Sequence, residues 1–360
     1  MSLRTGYTTG SCATAAAKAA AIGLVHNEIP DVVEIDTPIG QRLRLHVLCK
    51  QIMGDASECA VQKDAGDDPD VTNGCNVFAR VERAANNTIE IDGGLGVGRI
   101  TKPGLQVPVG QAAINPVPRR MIEDSVREVI GHDRGVRVVI SVPDGEKLAE
   151  KTFNPKLGIV GGISIIGTTG IVRPMSDEAL KASLLCGLDI AKGLGYKEVV
   201  LVPGNLGERA MSNSYSFIAK DQIVQMSNYV GFMLNAVKEK GFECVILAGH
   251  PGKLAKLLRN DFNTHSSVSR PANDVLIECV KSACHTQQML NELKEASTVE
   301  GILELLHKNN ILSLMDSVAV KIEDKVCEFM HHEVDAGVVL FNMEGSVVGK
   351  SGSAKKWLRN

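Results

Sequence analysis

The stretch "LRTGYTTGSCATAAAKAAAIG", residues 3–23, constrains the fold more than any other part of the chain. Alanine has the highest helix propensity and almost no side-chain volume. Ala13, Ala15, Ala16, Ala17, Ala19, Ala20 and Ala21 therefore predict a helix so slim that neighbouring backbones can approach it closely. A surface helix would carry more charge, and an ordinary core helix more leucine or isoleucine. The helix start offers Thr8, Thr9 and Ser11 as N-cap candidates beside free backbone N–H groups and the positive end of the helix dipole. Such an end favours a phosphate or a carboxylate. The other reading is a capped helix that packs tightly and binds nothing.

The rest of the chain narrows the classes. Its 360 residues suggest two domains. Hydrophobic content of 44% and charged content of 22% belong to a globular protein. Aromatics make up 4% and net charge is −3, which argues against a base-stacking platform and against a basic field for nucleic acid or an anionic membrane. No run of about 18 apolar residues and no signal peptide is visible. The nine cysteines form no CxxC pair, and read as reduced thiols of a cytoplasmic protein with neither a zinc site nor an iron–sulfur cluster.

Periodicity predicts an α+β first half, residues 1–150, as a two-layer domain. "VVEID" (32–36) and "RLRLHVL" (42–48) read as a hairpin, "VFARVE", "TIEIDGG" and "VRVVISVP" as further strands, and residues from about 118 to 130 as a helix. From 151 to 360 the pattern becomes strand, glycine-rich loop and helix. "GISII" (162–166), "EVVLV" (198–202) and "CVILA" (244–248) are apolar along their length, as strands of a parallel sheet are, which predicts a Rossmann-like α/β domain. Right-handed crossovers would bring the three following loops to one sheet edge, where open α/β sheets bind ligands. Helices are expected at about 176–194, 223–240, 274–295, 298–307 and 318–331. The terminal hairpin "GVVLFNMEGSVVGKS" could close the second domain or return to the first. Thr-Thr-Gly occurs at 8–10 and again at 168–170, too short an echo to be a repeat.

Individual motifs have competing readings. "GGLGVG" (93–98) runs into "RITKPGL" and not into a helix, so it fails as a dinucleotide fingerprint and fits a loop needing close backbone approach. "GHPGK" (249–253) is too short for a phosphate loop and has no Ser or Thr after Lys253, which disfavours ATP chemistry. His250, at a strand end, is either a functional group or a hydrogen-bonded loop residue. His265 in "NTHS" (263–266) is either functional or part of an Asx turn. Cys12 at a helix start could be activated, or could be a small packing residue. The rigid loops "DPDVTNG" (68–74) and "TKPGLQVPVGQAAINPVPRRM" (101–121) carry Asp70, Thr72, Lys102, Asn115, Arg119 and Arg120, and arginine pairs suit planar carboxylates.

Together, "LRTGYTTGSCATAAAKAA", "DVTNG", "GGLGVGRITKPGL", "VGQAAINPVPRRMI", "KTFNPKLGIVGGISIIGTTGIVRPMS" and "GHPGKLAKLL…NTHS" resemble the CbiD family, in order from residue 3 to about 266. Pro251, Asp261 and Phe262 depart from the more glycine-like loop of that pattern. The resemblance implies methylation of ring carbon 1 of cobalt-precorrin-5B in anaerobic cobalamin biosynthesis, with S-adenosylmethionine as donor and cobalt arriving inside the substrate. The expected donor contacts are Gly161, Gly162, Gly167, Thr168, Thr169, Gly204, Asn205 and Gly249. Thr8, Thr9, Ser11, Lys102, Asn115, Arg119 and Arg120 are expected to meet the carboxylate-fringed macrocycle, and His250 or His265 to accept a ring proton. The slim helix would let the macrocycle come near. The resemblance leaves room for a homo-oligomer and for transient contacts with neighbouring pathway enzymes. The rivals are a tetrapyrrole carrier and a phosphate-dependent enzyme.

Overall fold

A computed structural model describes residues 3–281 and 286–358 as a mixed α/β chain. It divides into two compact units, the first ending at Ala179 and the second beginning at Leu180. Among the described residues no helix is long and apolar enough to cross a membrane.

In the first unit a five-stranded sheet runs in the order Leu48–Met53, Ala56–Gln62, Asn76–Ala84, Gly135–Ser141, Ile89–Gly93. All its pairings are antiparallel except that of Gly135–Ser141 with Ile89–Gly93. The alanine helix, Thr9–His26, packs on this sheet, on the helix Pro116–Ile130 and on the hairpin of Val32–Asp36 with Arg42–His46. All seven alanines have no exposed surface. A helix apolar around its whole circumference belongs in an interior, and alanine suits one hemmed in on several sides. A Cβ on Gly10 would sit 2.7 Å from the Pro118 ring, and one on Gly23 would sit 2.5 Å from Ser57 Oγ. The slimness therefore serves close packing. Lys18 is the helix's charged residue; its ammonium reaches the Glu34 carbonyl at 2.8 Å and Glu128 at 2.7 Å.

Residues 151–179 belong to this unit, so the division lies past the 150/151 boundary expected from the change of pattern. The physical reason is pairing. Ile159–Val160 pairs with Arg99–Ile100, Gly162–Ile163 with Gly96–Val97, and Ile171–Val172 with Gly6–Tyr7. "GISII" is thus not a strand of the second sheet.

That second sheet, its strands numbered in chain order, runs 2-1-3-4-5. The strands are Glu198–Val202, Ile223–Gln225, Cys244–Gly249, Asp335–Phe341 and Val347–Lys350; the last alone is antiparallel. The terminal hairpin closes this unit. Residues 223–225, expected as helix, form the edge strand, and the helix begins at Val230. The inner strands are apolar throughout because both faces are covered. Leu201, Leu247 and Leu340 face one cluster that includes Met233 and Ile322, whereas Val200, Ile246 and Val339 face another with Met211 and Trp357. The expected 274–295 helix appears as Asn273–Val280 and Gln287–Glu295, and residues 282–285 of that expectation lie outside the described ones.

Candidate functional site

In the first unit three motif segments converge. The N-terminal strand Gly6–Tyr7 brings the start of the alanine helix to the loop before Ile171–Val172, so the two Thr-Thr-Gly tripeptides lie against each other. Thr8 caps the helix by accepting from Ser11 N–H at 3.1 Å, and its own N–H donates to the Gly170 carbonyl at 3.2 Å. Thr9 Oγ1 accepts from Ile166 N–H at 2.9 Å. Ser11 Oγ donates to the Gly170 carbonyl at 2.6 Å, and Gly10 N–H to the Ile166 carbonyl at 2.9 Å. Thr8, Thr9 and Ser11 are buried, and this helix start is satisfied from within the chain. A Cβ on Gly167, at φ 144°, would lie 2.2 Å from Thr8 Oγ1.

The "DVTNG" loop joins the same cluster. Lys63, 2% exposed, donates to Asp70 at 2.7 Å. Burial pushes the Asp70 carboxyl up, but the Lys63 ammonium and two donors from Thr72 outweigh it and hold the value below the usual carboxylate range. Cys12 lies in the same field, and desolvation raises its thiol to about 12, which makes it a packing residue at neutral pH. Gly96, Gly145 and Gly162 stack backbone on backbone: a Cβ on Gly96 would be 1.8 Å from the Val142 carbonyl, and one on Gly162 would be 2.1 Å from that of Gly96. Gly161, at φ 84° with open space around it, is a turn. Thr168 is exposed, and Thr169 Oγ1 donates to the Ile171 carbonyl at 3.0 Å. On the other loops Lys102 reaches the Lys156 carbonyl at 3.3 Å, Asn115 begins the helix Pro116–Ile130, and Arg119 donates to the Ile91 carbonyl at 2.8 Å. Arg120 is exposed, with no side-chain partner among the described residues.

The second unit offers a different setting. In a 2-1-3-4-5 sheet the order reverses between the first and third strands, and ligands bind outside the strand C-termini at that point. Here those termini lead into Pro203-Gly204-Asn205 and into Gly249-His250-Pro251-Gly252-Lys253. The loops touch, since the Cβ position of Gly249 is 2.9 Å from the Pro203 ring. Gly204 is fully extended, and a Cβ there would meet nothing within 4 Å. Gln225 Nε2 donates to Asn205 Oδ1 at 2.8 Å and to Glu208 at 2.6 Å.

His250 is committed at both nitrogens. Its Nδ1 accepts from Gly252 N–H at 3.1 Å, which places the ring proton on Nε2, 2.9 Å from Glu300 Oε2. Glu300, in the first turn of the helix Val299–Lys308, also accepts from Met343 N–H at 3.3 Å. Lys253 donates its backbone N–H to the His250 carbonyl at 3.0 Å. Its ammonium is partly buried and has no partner among the described residues. Desolvation, and then neighbouring Lys256, push it below the usual lysine range. Lys256, 6% exposed, donates to the Thr264 and Ser269 carbonyls at 3.0 and 3.3 Å and so holds the "NTHS" loop. His265 is exposed in an Asx turn, with its N–H on Asn263 Oδ1 at 3.1 Å and its Nδ1 2.7 Å from Ser267 Oγ.

The eight positions expected to hold a donor are thus split. Gly161, Gly162, Gly167, Thr168 and Thr169 lie in the first unit, and Gly204, Asn205 and Gly249 at the strand edge of the second. Lys63, Lys256 and Glu300 are not among the candidates that the sequence motifs offer. Lys256 alone had a visible signal, a lysine inside the apolar run "LAKLL". A groove of about 690 Å³ lies elsewhere, among Leu258, Val275, Cys279 and charged groups such as Asp274 and Glu328 that pair with Arg259 and Lys325. Among the described residues no group of three or more His, Cys, Asp or Glu could hold a metal.

The second unit is thus an α/β unit whose mostly parallel sheet has glycine loops and, among the described residues, a cation without a partner at its switch point, where open α/β sheets bind ligands. Residues 1–174 match the family CbiD, and residues 263–352 match CbiD, C-terminal domain. The cobalt-precorrin-5B C(1)-methyltransferase of Alkaliphilus metalliredigens (strain QYMF) is 45% identical, over 99% of this chain and 94% of its own. Proteins of the same name from Photorhabdus laumondii subsp. laumondii and Thermoanaerobacter sp. (strain X514) are each 42% identical, over 97% and 99% of this chain and 93% and 97% of theirs. A crystal structure of the cobalamin biosynthesis protein cbiD from Archaeoglobus fulgidus is 29% identical, covering 72% of this chain and 82% of that one, with a TM-score of 0.40. The chain belongs to the CbiD family.

Proposed function

We propose that this chain transfers a methyl group to carbon 1 of cobalt-precorrin-5B, with S-adenosylmethionine as the donor. The observation that carries the reaction is identity of 42–45% to relatives named for it, along 97–99% of the chain. When bound, S-adenosylmethionine supplies a methyl group on a sulfonium, whose leaving sulfide is neutral. No nucleophile or triad is needed from the protein. Its task is alignment, which supplies up to about 7–11 kcal/mol in ideal intramolecular cases.

We read the second unit as the Rossmann-like donor domain. Its support is the strand order, the open space at Gly204 and the uncompensated Lys253. Gly204, Asn205 and Gly249 would line the donor. The first unit would meet the macrocycle through Lys102, Asn115, Arg119 and Arg120, of which Arg120 has no partner among the described residues to give up. Thr8, Thr9 and Ser11 would act from behind, by fixing the 164–170 loop that carries exposed Thr168. His250 serves in this reading as a clamp, since both ring nitrogens are engaged. We place the protein in the reducing cytoplasm, where every described cysteine would remain the free thiol it is here.

The test is anaerobic incubation with cobalt-precorrin-5B and methyl-labelled S-adenosylmethionine, followed by mass spectrometry. One labelled methyl located at carbon 1 is the expected product. Tight corrinoid binding without label, from folded protein, would replace the transferase by a carrier.

A further inference from the structure

We propose that Lys253 is the cationic anchor for the carboxylate of the methyl donor, and that the His250–Glu300 pair is the device that positions it. The inference rests on the donor lying at the strand edge of the second unit.

A partly buried ammonium without a counter-charge is unfavourable, because hydration is lost and nothing replaces it. Elsewhere this chain meets the requirement. Lys63 faces Asp70, and Lys256 spends its protons on two carbonyls. Lys253 does neither, yet it stands one turn beyond the third strand, at the switch point of the sheet. An anion that binds there supplies the missing partner. Neighbouring Lys256 adds positive potential, whereas the nearby carboxylate of Glu300 is already engaged by His250 and the Met343 N–H. S-adenosylmethionine carries one carboxylate; its sulfonium and amine are cationic, so an ammonium suits the carboxylate end alone.

The backbone of Lys253 is held by the clamp. The His250 ring is fixed from helix Val299–Lys308 by Glu300, Pro251 restricts the next φ, and the Gly252 and Lys253 N–H groups return to His250. His250→Asn places an acceptor where Nδ1 stands and keeps that turn, whereas His250→Ala removes it.

Calorimetry with two nucleosides separates the possibilities. S-adenosylhomocysteine carries the amino-acid tail with its carboxylate, and methylthioadenosine is the adenosyl thioether that ends in a methyl group and lacks that whole tail, amine included. Lys253→Met is expected to weaken S-adenosylhomocysteine by about tenfold or more, the scale of a hydrogen bond to a charged group, and to leave methylthioadenosine within about twofold. Lys253→Arg should restore most of the loss. His250→Ala should weaken S-adenosylhomocysteine selectively, and His250→Asn, which keeps the acceptor for the Gly252 N–H but gives up Glu300, should weaken it less. Equal losses for both nucleosides, or no loss for either, overturn the anchor. So does unchanged S-adenosylhomocysteine binding with a raised KM for cobalt-precorrin-5B, which would give Lys253 to a macrocycle carboxylate. If the native chain binds neither nucleoside, the donor-site reading itself fails, and the anchor with it.

Discussion

The two glycine-rich regions look alike on paper and differ in kind. In the first unit Gly96, Gly145 and Gly162 exist because backbone lies where a Cβ would be, the Thr8 hydroxyl is spent on its own helix start, and those of Thr9 and Ser11 on the neighbouring 164–170 loop. At the strand edge of the second unit Gly204 has open space, and Lys253 has no partner among the described residues. Polar and small residues that are satisfied internally build a rigid surface. Those left unsatisfied at a sheet edge are where a ligand is needed. On this contrast we read one set of motifs as scaffold and propose the other as contact.

The strongest way to break this contrast is a pair of alanines. Gly96→Ala, at φ 72° and with a carbonyl 1.8 Å from the new Cβ, should cost more than about 4 kcal/mol and leave little folded protein in urea titrations. Gly204→Ala should cost no more than about 1 kcal/mol and show its effect in donor affinity instead. Equal destabilisation of the two would erase the distinction. Next in size is Lys63→Ala, which strands Asp70 in a partly buried site and should cost about 3–5 kcal/mol. The same pair sets an acid limit. Because the Asp70 value is lower folded than unfolded, its contribution is present above the unfolded value of about 3.9 and disappears as pH falls through the folded one. Urea midpoints of the native chain should therefore drop on acidification below about pH 4, and Asp70→Asn should flatten that limb.

Much of this frame was legible beforehand, for reasons that particular residues show. The strands 198–202 and 244–248 announced themselves through unbroken apolar runs, and the hairpin of 32–36 with 42–46 through strict alternation, because burial on two faces or one leaves those patterns. "GISII" carries the same apolar signature, yet it pairs with Gly96–Val97. Local composition reports burial and says nothing about which partner a strand chooses. The edge strand Ile223–Gln225 is only three residues long and lies four residues ahead of an apolar helix that begins at Val230, too short a strand for a period to show. Of the site, His250 was visible from its place at a strand end, whereas Glu300 stands fifty residues away and meets it only through the fold. The alanine run was read correctly as a slim helix. Of its two readings, close packing and an anion-accepting start, the neighbours on several sides favour the first.

Ser11→Ala offers a smaller, sharper test of the scaffold side. Ser11 has no exposed surface, and its hydroxyl serves the Gly170 carbonyl at 2.6 Å while standing 3.1 Å from Thr8 Oγ1. Losing it leaves the Gly170 carbonyl with the Thr8 N–H alone and should cost about 0.5–1.5 kcal/mol. If the hydroxyl supports the 164–170 loop and touches no substrate, stability and loop protection in hydrogen exchange should fall while donor affinity stays unchanged. His250→Asn is the counterpart in the second unit and the smallest effect expected. It keeps the acceptor for Gly252 and gives up Glu300, so about 1 kcal/mol of stability is at stake. Its decisive readout is kinetic. A clamp replaced by a shape-matched acceptor retains most of kcat with an unmoved pH profile, whereas a proton acceptor replaced by an amide loses kcat by about a hundredfold or more. A loss of that size at position 250 would turn the clamp into a catalytic base and redraw the edge of the second unit as a centre of chemistry, beyond donor binding.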